Sequence, residues 1–293
     1  MIHERISDNV HMFQSERYVQ VNAGVIVGPD WVVVVDTLAL PDETRRIRRF
    51  IEERIRKPVR YVINTHYHAD HSWGNAFFPD ATVIAHRLTR QLQAEKGQPA
   101  LAEAQAHDPT FRGLKLVLPH ITVDAGGLSL KVGPRLTVRL IPLPGHSPDG
   151  MGVYVEEERV LFTGDAFTSL PVLMPDESDF DALVHSLKHI AQLQVEVLIP
   201  GHGDIVFRGE MVDEVEKNLN YLHAIRKIVR QAARRKYAGD VLDRYSVEDC
   251  GKSRVLLEGA AEVLHRRNLE VLFRLWYNRE PLRMEEEAPY SYG

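Results

Sequence analysis

The sequence predicts an α+β protein in which two sheets pack face to face with helices on their outer sides. Three observations predict it: strand-like runs fall into two successive groups, amphipathic helical stretches accompany each group, and the second group is joined by loops short enough for antiparallel pairing. At 293 residues, and roughly 150 residues per domain, the chain holds one large or two modest domains with a sizeable core. With 44% hydrophobic and 26% charged residues it lies with folded globular proteins, away from chains that stay disordered.

Residues 19–27, the Gly28-Pro29-Asp30 turn and residues 31–36 read as a β-hairpin of β-branched residues ending on Asp36. Residues 41–55 open on Pro41 and acids and space Ile47, Phe50, Ile51 and Ile55 helically, which predicts an amphipathic surface helix. A strand over 59–65 runs directly into a histidine cluster, and another strand is predicted over 81–85. Residues 88–127 are the least periodic and read as an insertion, with one helix around 88–95. Strands follow at 128–132, 136–141, 152–156 and 160–162, then a helix over 180–193 and a short buried strand over 195–199. Val215, Leu219, Leu222, Ile225 and Val229 mark one long helix over 211–236, and 252–278 gives another. Residues 237–246 read as a short connection, and 280–293 as a frayed tail rich in Glu and Pro. The division is a catalytic domain over 1–236 and a helical extension with its tail over 237–293.

Lys and Arg total 36 against 41 Asp and Glu, a net charge of −5, so no basic field makes nucleic acid the default partner. The single cysteine, Cys250, excludes an intrachain disulfide and every zinc site built on two thiolates. The first residues carry charge where a signal peptide needs an apolar stretch, and no run reaches the ~18 apolar residues of a membrane span. The expectation is a cytoplasmic protein that meets a small-molecule substrate and no membrane, and homo-oligomers are compatible with it.

Function is read from Asn64-Thr65-His66-Tyr67-His68-Ala69-Asp70-His71. Four potential ligands crowd into six residues where a strand gives way to a loop. So many ionisable groups would repel or desolvate one another without positive charge among them. An open tetrahedral zinc uses about three protein ligands, so this cluster with further ligands implies two metals. His146 in Pro144-Gly145-His146-Ser147, Asp165 in Thr163-Gly164-Asp165 and His202 in Pro200-Gly201-His202-Gly203 each follow a glycine at the end of an apolar strand. Glycine there permits the tight turn that aims a side chain across the strand ends.

On these residues the chain resembles the metallo-β-lactamase superfamily, whose H-x-H-x-D-H hallmark His66 to His71 match in full. His146, Asp165 and His202 match the later ligand positions in order, and the resemblance covers residues 10–235. It implies an αββα sandwich with the site at one edge of the sheets. It implies that His66, His68 and His146 hold a first zinc, that Asp70, His71 and His202 hold a second, and that Asp165 bridges them. Asp36 matches an early aspartate that orients ligands. Iron or manganese suits the same nitrogen and oxygen donors.

The chemistry so implied is hydrolysis of an ester, thioester or lactone by a metal-bound hydroxide, with Asp70 as the catalytic proton shuttle. Phosphodiesterase activity, β-lactamase-like activity and a mononuclear iron persulfide dioxygenase on the same fold are the alternatives. Two departures narrow the choice. True β-lactamases of the superfamily usually place cysteine or serine where Asp165 stands, and the lactonases carry a tyrosine where Thr168 stands. Arg226, Arg230 and Arg234 recur at four-residue intervals on the long helix, which reads either as a solvated face or as a basic edge for an anionic substrate.

Overall fold

The computed structural model describes residues 1–124, 126–172 and 176–284. The first sheet has seven strands in sequence order: β1 (Ile2–Arg5), β2 (Val10–Gln14), β3 (Asn22–Val27), β4 (Val32–Val35), β5 (Val59–Ile63), β6 (Thr82–His86) and β7 (Ile121–Val123). Strands β1 to β4 pair antiparallel and β4 to β7 pair parallel. The second sheet comprises β8 (Leu128–Gly133), β9 (Leu136–Pro142), β10 (Met151–Val155), β11 (Val160–Phe162), β12 (Val197–Ile199) and β13 (Val206–Phe207), ordered 13-12-11-10-9-8. Pairing is antiparallel from β8 to β11, and β12 joins β11 in parallel.

Alternation along the strands builds the layers. Val33, Val35, Ile63, Val138, Leu140, Val153 and Phe162 meet between the sheets, while Val32, Val34 and Val62 face the other way. Helix α1 (Pro41–Phe50) covers that outer face through Ile47, aided by Ile51 in the π-helical turn that continues it. Its start carries Pro41, Asp42 and Glu43 and its last turn Arg48 and Arg49, matching the helix dipole. After the four-residue α2 (Ala69–Ser72), α3 (Arg87–Leu92) and α4 (Gln98–His107) follow. Outside the second sheet lie α5 (Phe180–Ile190), α6 (Met211–Ala232), α7 (Ala238–Leu242) and α8 (Ala261–Tyr277), packing Leu183, Leu187, Leu222, Ile225 and Leu272 against Leu161 and Leu198. The result is the αββα sandwich with C-terminal helices that was expected.

Several elements depart from the sequence reading. Strands β1 and β2 were not predicted: β1 is an exposed edge without an apolar face, and His11 interrupts β2. The stretch read as an insertion holds α3, α4 and a closing strand, β7, which completes the first sheet. Helix α4 escaped because Leu101 is its one buried residue, which leaves no stripe to detect. The antiparallel pairing expected of the strands over 128–162 holds from β8 to β11, and the short strand read at 195–199 joins them parallel to β11. The last long helix starts at Ala261 rather than 252, because Leu257 and Glu258 adopt left-handed backbone just before it. Within the predicted tail, Leu282 accepts a hydrogen bond from Gly239 and Arg283 pairs with Asp243 and Glu270, while 285–293 lie outside the described residues. No helix among the described residues is long and apolar enough to cross a membrane.

Candidate metal centre

Strands β4, β5, β9, β11 and β12 share one direction within their sheets and end at the same edge of the sandwich. Asp36 follows β4, His66 follows β5, His146 follows β9, Asp165 follows β11 and His202 follows β12. The two sheets are stitched there by Met151 N–H donating to Thr65 O at 2.8 Å and Asn22 N–H donating to Gly201 O at 2.8 Å. Glycine has a steric reason at two of these junctions. Gly145 has φ +137° beside the Leu183 backbone, and a Cβ on Gly201 would collide with Asp165 Oδ1.

All seven predicted residues come together. One ligand atom each from His66, His68, His146 and Asp165 lies within 4.8 Å of the others, and the same holds for Asp70, His71 and His202. His68 Nδ1 is 3.0 Å from His66 Nε2 and 2.9 Å from His146 Nε2. Asp165 faces both groups: Oδ2 is 3.3 Å from His146 Nε2, while Oδ1 is 3.3 Å from His71 Nε2 and 3.5 Å from His202 Nε2. Asp70 Oδ2 lies 3.3 Å from His202 Nε2.

The outer nitrogens settle the tautomers. His146 Nδ1 donates to Val172 O at 2.6 Å, His202 Nδ1 to Val19 O at 2.8 Å, and His71 Nδ1 to the Asp36 carboxylate at 2.8 Å. Each Nε2 lone pair is thereby aimed inwards, at other lone pairs and at carboxylates. Buried His71 Nε2 and Asp165 Oδ1 have no hydrogen-bond partner among the described residues. Acceptors facing acceptors in a buried space need positive charge between them. Protons meet that need in part: burial would lower His71 and His202, but Asp70 and Asp165 raise His71 well above 6.5 and His202 to about 10. Burial, reinforced by neighbouring imidazoles, holds His66 well below 6.5 and His68 at about 3, so these remain neutral donors of lone pairs. Against the cost of burial, His71 and His202 hold Asp70 at about 2. This donor set fits divalent cations.

A cavity of about 430 Å³ opens above the cluster. Tyr18, Tyr67, Trp73, Leu257, Leu264 and Arg267 line it, and sequence reading singled out none of them. Tyr67 and Trp73 flank the histidine motif and could have been suspected, whereas Leu257, Leu264 and Arg267 arrive from the helical extension with no local signal. Arg226, Arg230 and Arg234 do not line it; Arg226 instead lies over the Phe180 ring at 5.3 Å. Cys250 is buried away from the cluster, and burial pushes its thiol up to about 12. Thr168 is fully buried with its hydroxyl donating to Leu170 O.

Residues 17–202 match the metallo-beta-lactamase superfamily. Among curated relatives, the chain is 28% identical over 182 residues to 2,4-dinitroanisole O-demethylase subunit alpha of Nocardioides sp. (strain JS1661), covering 60% of this chain and 51% of that protein. It is 28% identical over 177 residues to thioesterase pkgB of Emericella nidulans, covering 59% and 43%. The chain thus spans about half the length of the curated relatives it matches. A solved structure, the metallo-beta-lactamase from Pontibacter korlensis, superposes with a TM-score of 0.61 at 18% identity, covering 75% of this chain and 99% of that one. The matched region takes in more than half of the sequence and every clustered histidine and aspartate, and the chain belongs to the metallo-beta-lactamase superfamily.

Proposed function

We propose that this protein is a dinuclear, zinc-dependent hydrolase of ester, thioester or lactone bonds. The observation that carries the reading is Asp165, whose two oxygens face two separate histidine groups and would bridge a pair of cations. His66, His68 and His146 would hold one ion, and Asp70, His71 and His202 the other. Such a pair, when bound, supplies water of near-neutral pKa and polarises a substrate oxygen.

The chain's own residues do the rest. Val172 O, Val19 O and Asp36 hold three imidazoles in the ligating tautomer. Asp70 is the most exposed ligand carboxylate, with its side chain 14% accessible against 6% for Asp165, and it lines the cavity, so it is placed to carry a proton to the leaving group. Tyr67, Trp73, Leu257 and Leu264 supply apolar walls that exclude bulk water from a substrate body. The similarity to thioesterase pkgB supports the thioester among the three bond types.

The test is a panel of p-nitrophenyl esters, acyl thioesters and lactones offered to zinc-loaded protein, beside a His66→Ala, His68→Ala double variant. Turnover well above that of the double variant is expected on at least one class, with two metal ions per chain by mass spectrometry. No excess over the double variant on any class overturns the reading. Arg267, exposed on the cavity wall without an ion-pair partner among the described residues, favours an anionic substrate as a second reading. Turnover of bis-p-nitrophenyl phosphate tests phosphodiester cleavage.

A further inference from the structure

We propose that Tyr18 is a catalytic residue of this site, its phenolic hydroxyl donating a hydrogen bond to the substrate oxygen on which negative charge develops as the bond is cleaved. The inference rests on the hydrolytic reading above. Two phenols line the cavity over the metal centre. The hydroxyl of Tyr67 is committed: it donates to Glu177, which Lys96 also holds at 2.7 Å. The hydroxyl of Tyr18 makes no hydrogen bond among the described residues, and Tyr18 lines the cavity together with Asp70, Asp165 and His202. Thr168, next to the Asp165 turn, contributes no donor because its hydroxyl is turned into the core.

The backbone around Tyr18 is held at a cost. Val19 and Gln20 both adopt left-handed conformations, φ 47° and 52°, and a β-branched residue there is a rare outlier worth about 1–3 kcal/mol of strain. The surrounding hydrogen bonds fix this geometry. Ser15 Oγ accepts from the backbone N–H of Arg17 and of Tyr18, and Val21 N–H donates to Tyr18 O at 3.0 Å. In the same turn Val19 O takes the His202 Nδ1 proton and Gln20 O takes the Gly203 N–H. The strained turn therefore ties the Tyr18 backbone and the His202 imidazole into one fixed relationship beside the cavity that the Tyr18 side chain lines. Tyr18 acts in this proposal as a hydrogen-bond donor and forms no covalent bond. A preorganised donor aimed at developing charge contributes about 10²–10³ in kcat.

The decisive variant is Tyr18→Phe, which keeps the ring and removes the hydroxyl, studied in the full zinc-loaded chain. On whichever p-nitrophenyl ester or thioester the wild type turns over, kcat falls by about 10²–10³ with KM changed less than threefold. Independently of turnover, calorimetry of methylphosphonate binding, a tetrahedral anion, shows a loss of about 10² while acetate binding is unchanged. Zinc content and melting temperature stay at wild-type values. Equal phosphonate affinity in the two proteins, or a kcat within threefold, overturns the proposal, as does loss of zinc, which would make Tyr18 a support for His202 alone. Failure of the wild type to cleave any panel member counts against the hydrolytic reading, and the phosphonate comparison then decides the role of Tyr18.

Discussion

Asp36 Oδ2 accepts hydrogen bonds from both His71 Nδ1, at 2.8 Å, and Thr65 Oγ1, at 2.7 Å, while Oδ1 takes the Thr65 N–H at 2.8 Å. One buried carboxylate thereby orients an imidazole on one side and anchors the strand end that delivers His66 on the other. Asp36 itself sits in left-handed backbone, φ 55°, at the end of β4.

Replacing Asp36 by Asn keeps the shape but turns an amide donor towards the His71 N–H and the Thr65 hydroxyl, which both need an acceptor. The imidazole of His71 is then free to reverse its tautomer and present the wrong nitrogen. Asp36→Asn is expected to weaken metal binding by about 10–100-fold. Competition against a chromophoric chelator measures it, and an unchanged dissociation constant would contradict this role of Asp36.

Gly201 packs against the turn that holds Asp165. A Cβ there would collide with Asp165 Oδ1 and lie 2.7 Å from the Gly164 carbonyl carbon. Gly201→Ala is expected to displace the Asp165 carboxylate and reduce bound metal below one ion per chain, by mass spectrometry after desalting. Retention of the wild-type metal content would show that the turn yields instead.

Stability of the metal-free protein follows from the opposed shifts of its histidines. His202 is raised from 6.5 to about 10 in the fold, so its stabilising charge is complete below pH 6.5 and is lost as pH rises towards 10. His68 is lowered to about 3, so its enforced neutrality becomes a growing penalty as pH falls from 6.5 towards 3. Urea midpoints of chelator-treated protein are expected to peak near neutrality between about pH 5 and pH 9. Zinc-loaded protein should lose less on the alkaline side, since cations replace the protons on His71 and His202. A metal-free midpoint that climbs steadily to pH 9 would refute this balance.

Helix α6 and the helical extension together grip the loop after Asp165. Asn218 Nδ2 donates to Thr168 O at 3.1 Å, Lys252 Nζ to Ser169 O at 2.7 Å, and Asn268 Nδ2 to Pro171 O at 2.7 Å. Val172, the next residue, accepts from His146. Burial lowers Lys252 to about 8, so its charge is costly in the fold below that pH, yet its ammonium also holds Asn218 Oδ1 at 2.7 Å. Lys252→Met leaves two buried acceptors unpaired and is expected to destabilise the protein by about 1–3 kcal/mol. Urea unfolding measures the loss, and a change below about 0.5 kcal/mol would mean that the loop finds other donors.

The metal-binding cluster was readable because its chemistry is local. Four candidate ligands in residues 66–71, and three glycine-ligand junctions behind apolar strands, leave few other uses for so many titratable groups. Helices α1, α5 and α6 were readable because each buries one face, and burial imposes a period on neighbouring residues, while the hairpin, buried on both faces, was readable from its run of β-branched residues around a Gly-Pro-Asp turn. Strand β1 and helix α4 bury almost nothing, and β7 is three residues long, so neither period nor composition marks them. Tyr18, Arg267 and Lys252 were out of reach for a different reason. Their roles depend on partners such as His202, the cavity wall and Ser169, tens to hundreds of positions away, and on strained turns at Val19 and Leu257 that local propensity disfavours. Sequence carries the groups that must be present at each strand end. Which remote side chains close over them is set by the packing of the two sheets and the extension, since contacts between distant segments leave no periodic trace along the chain.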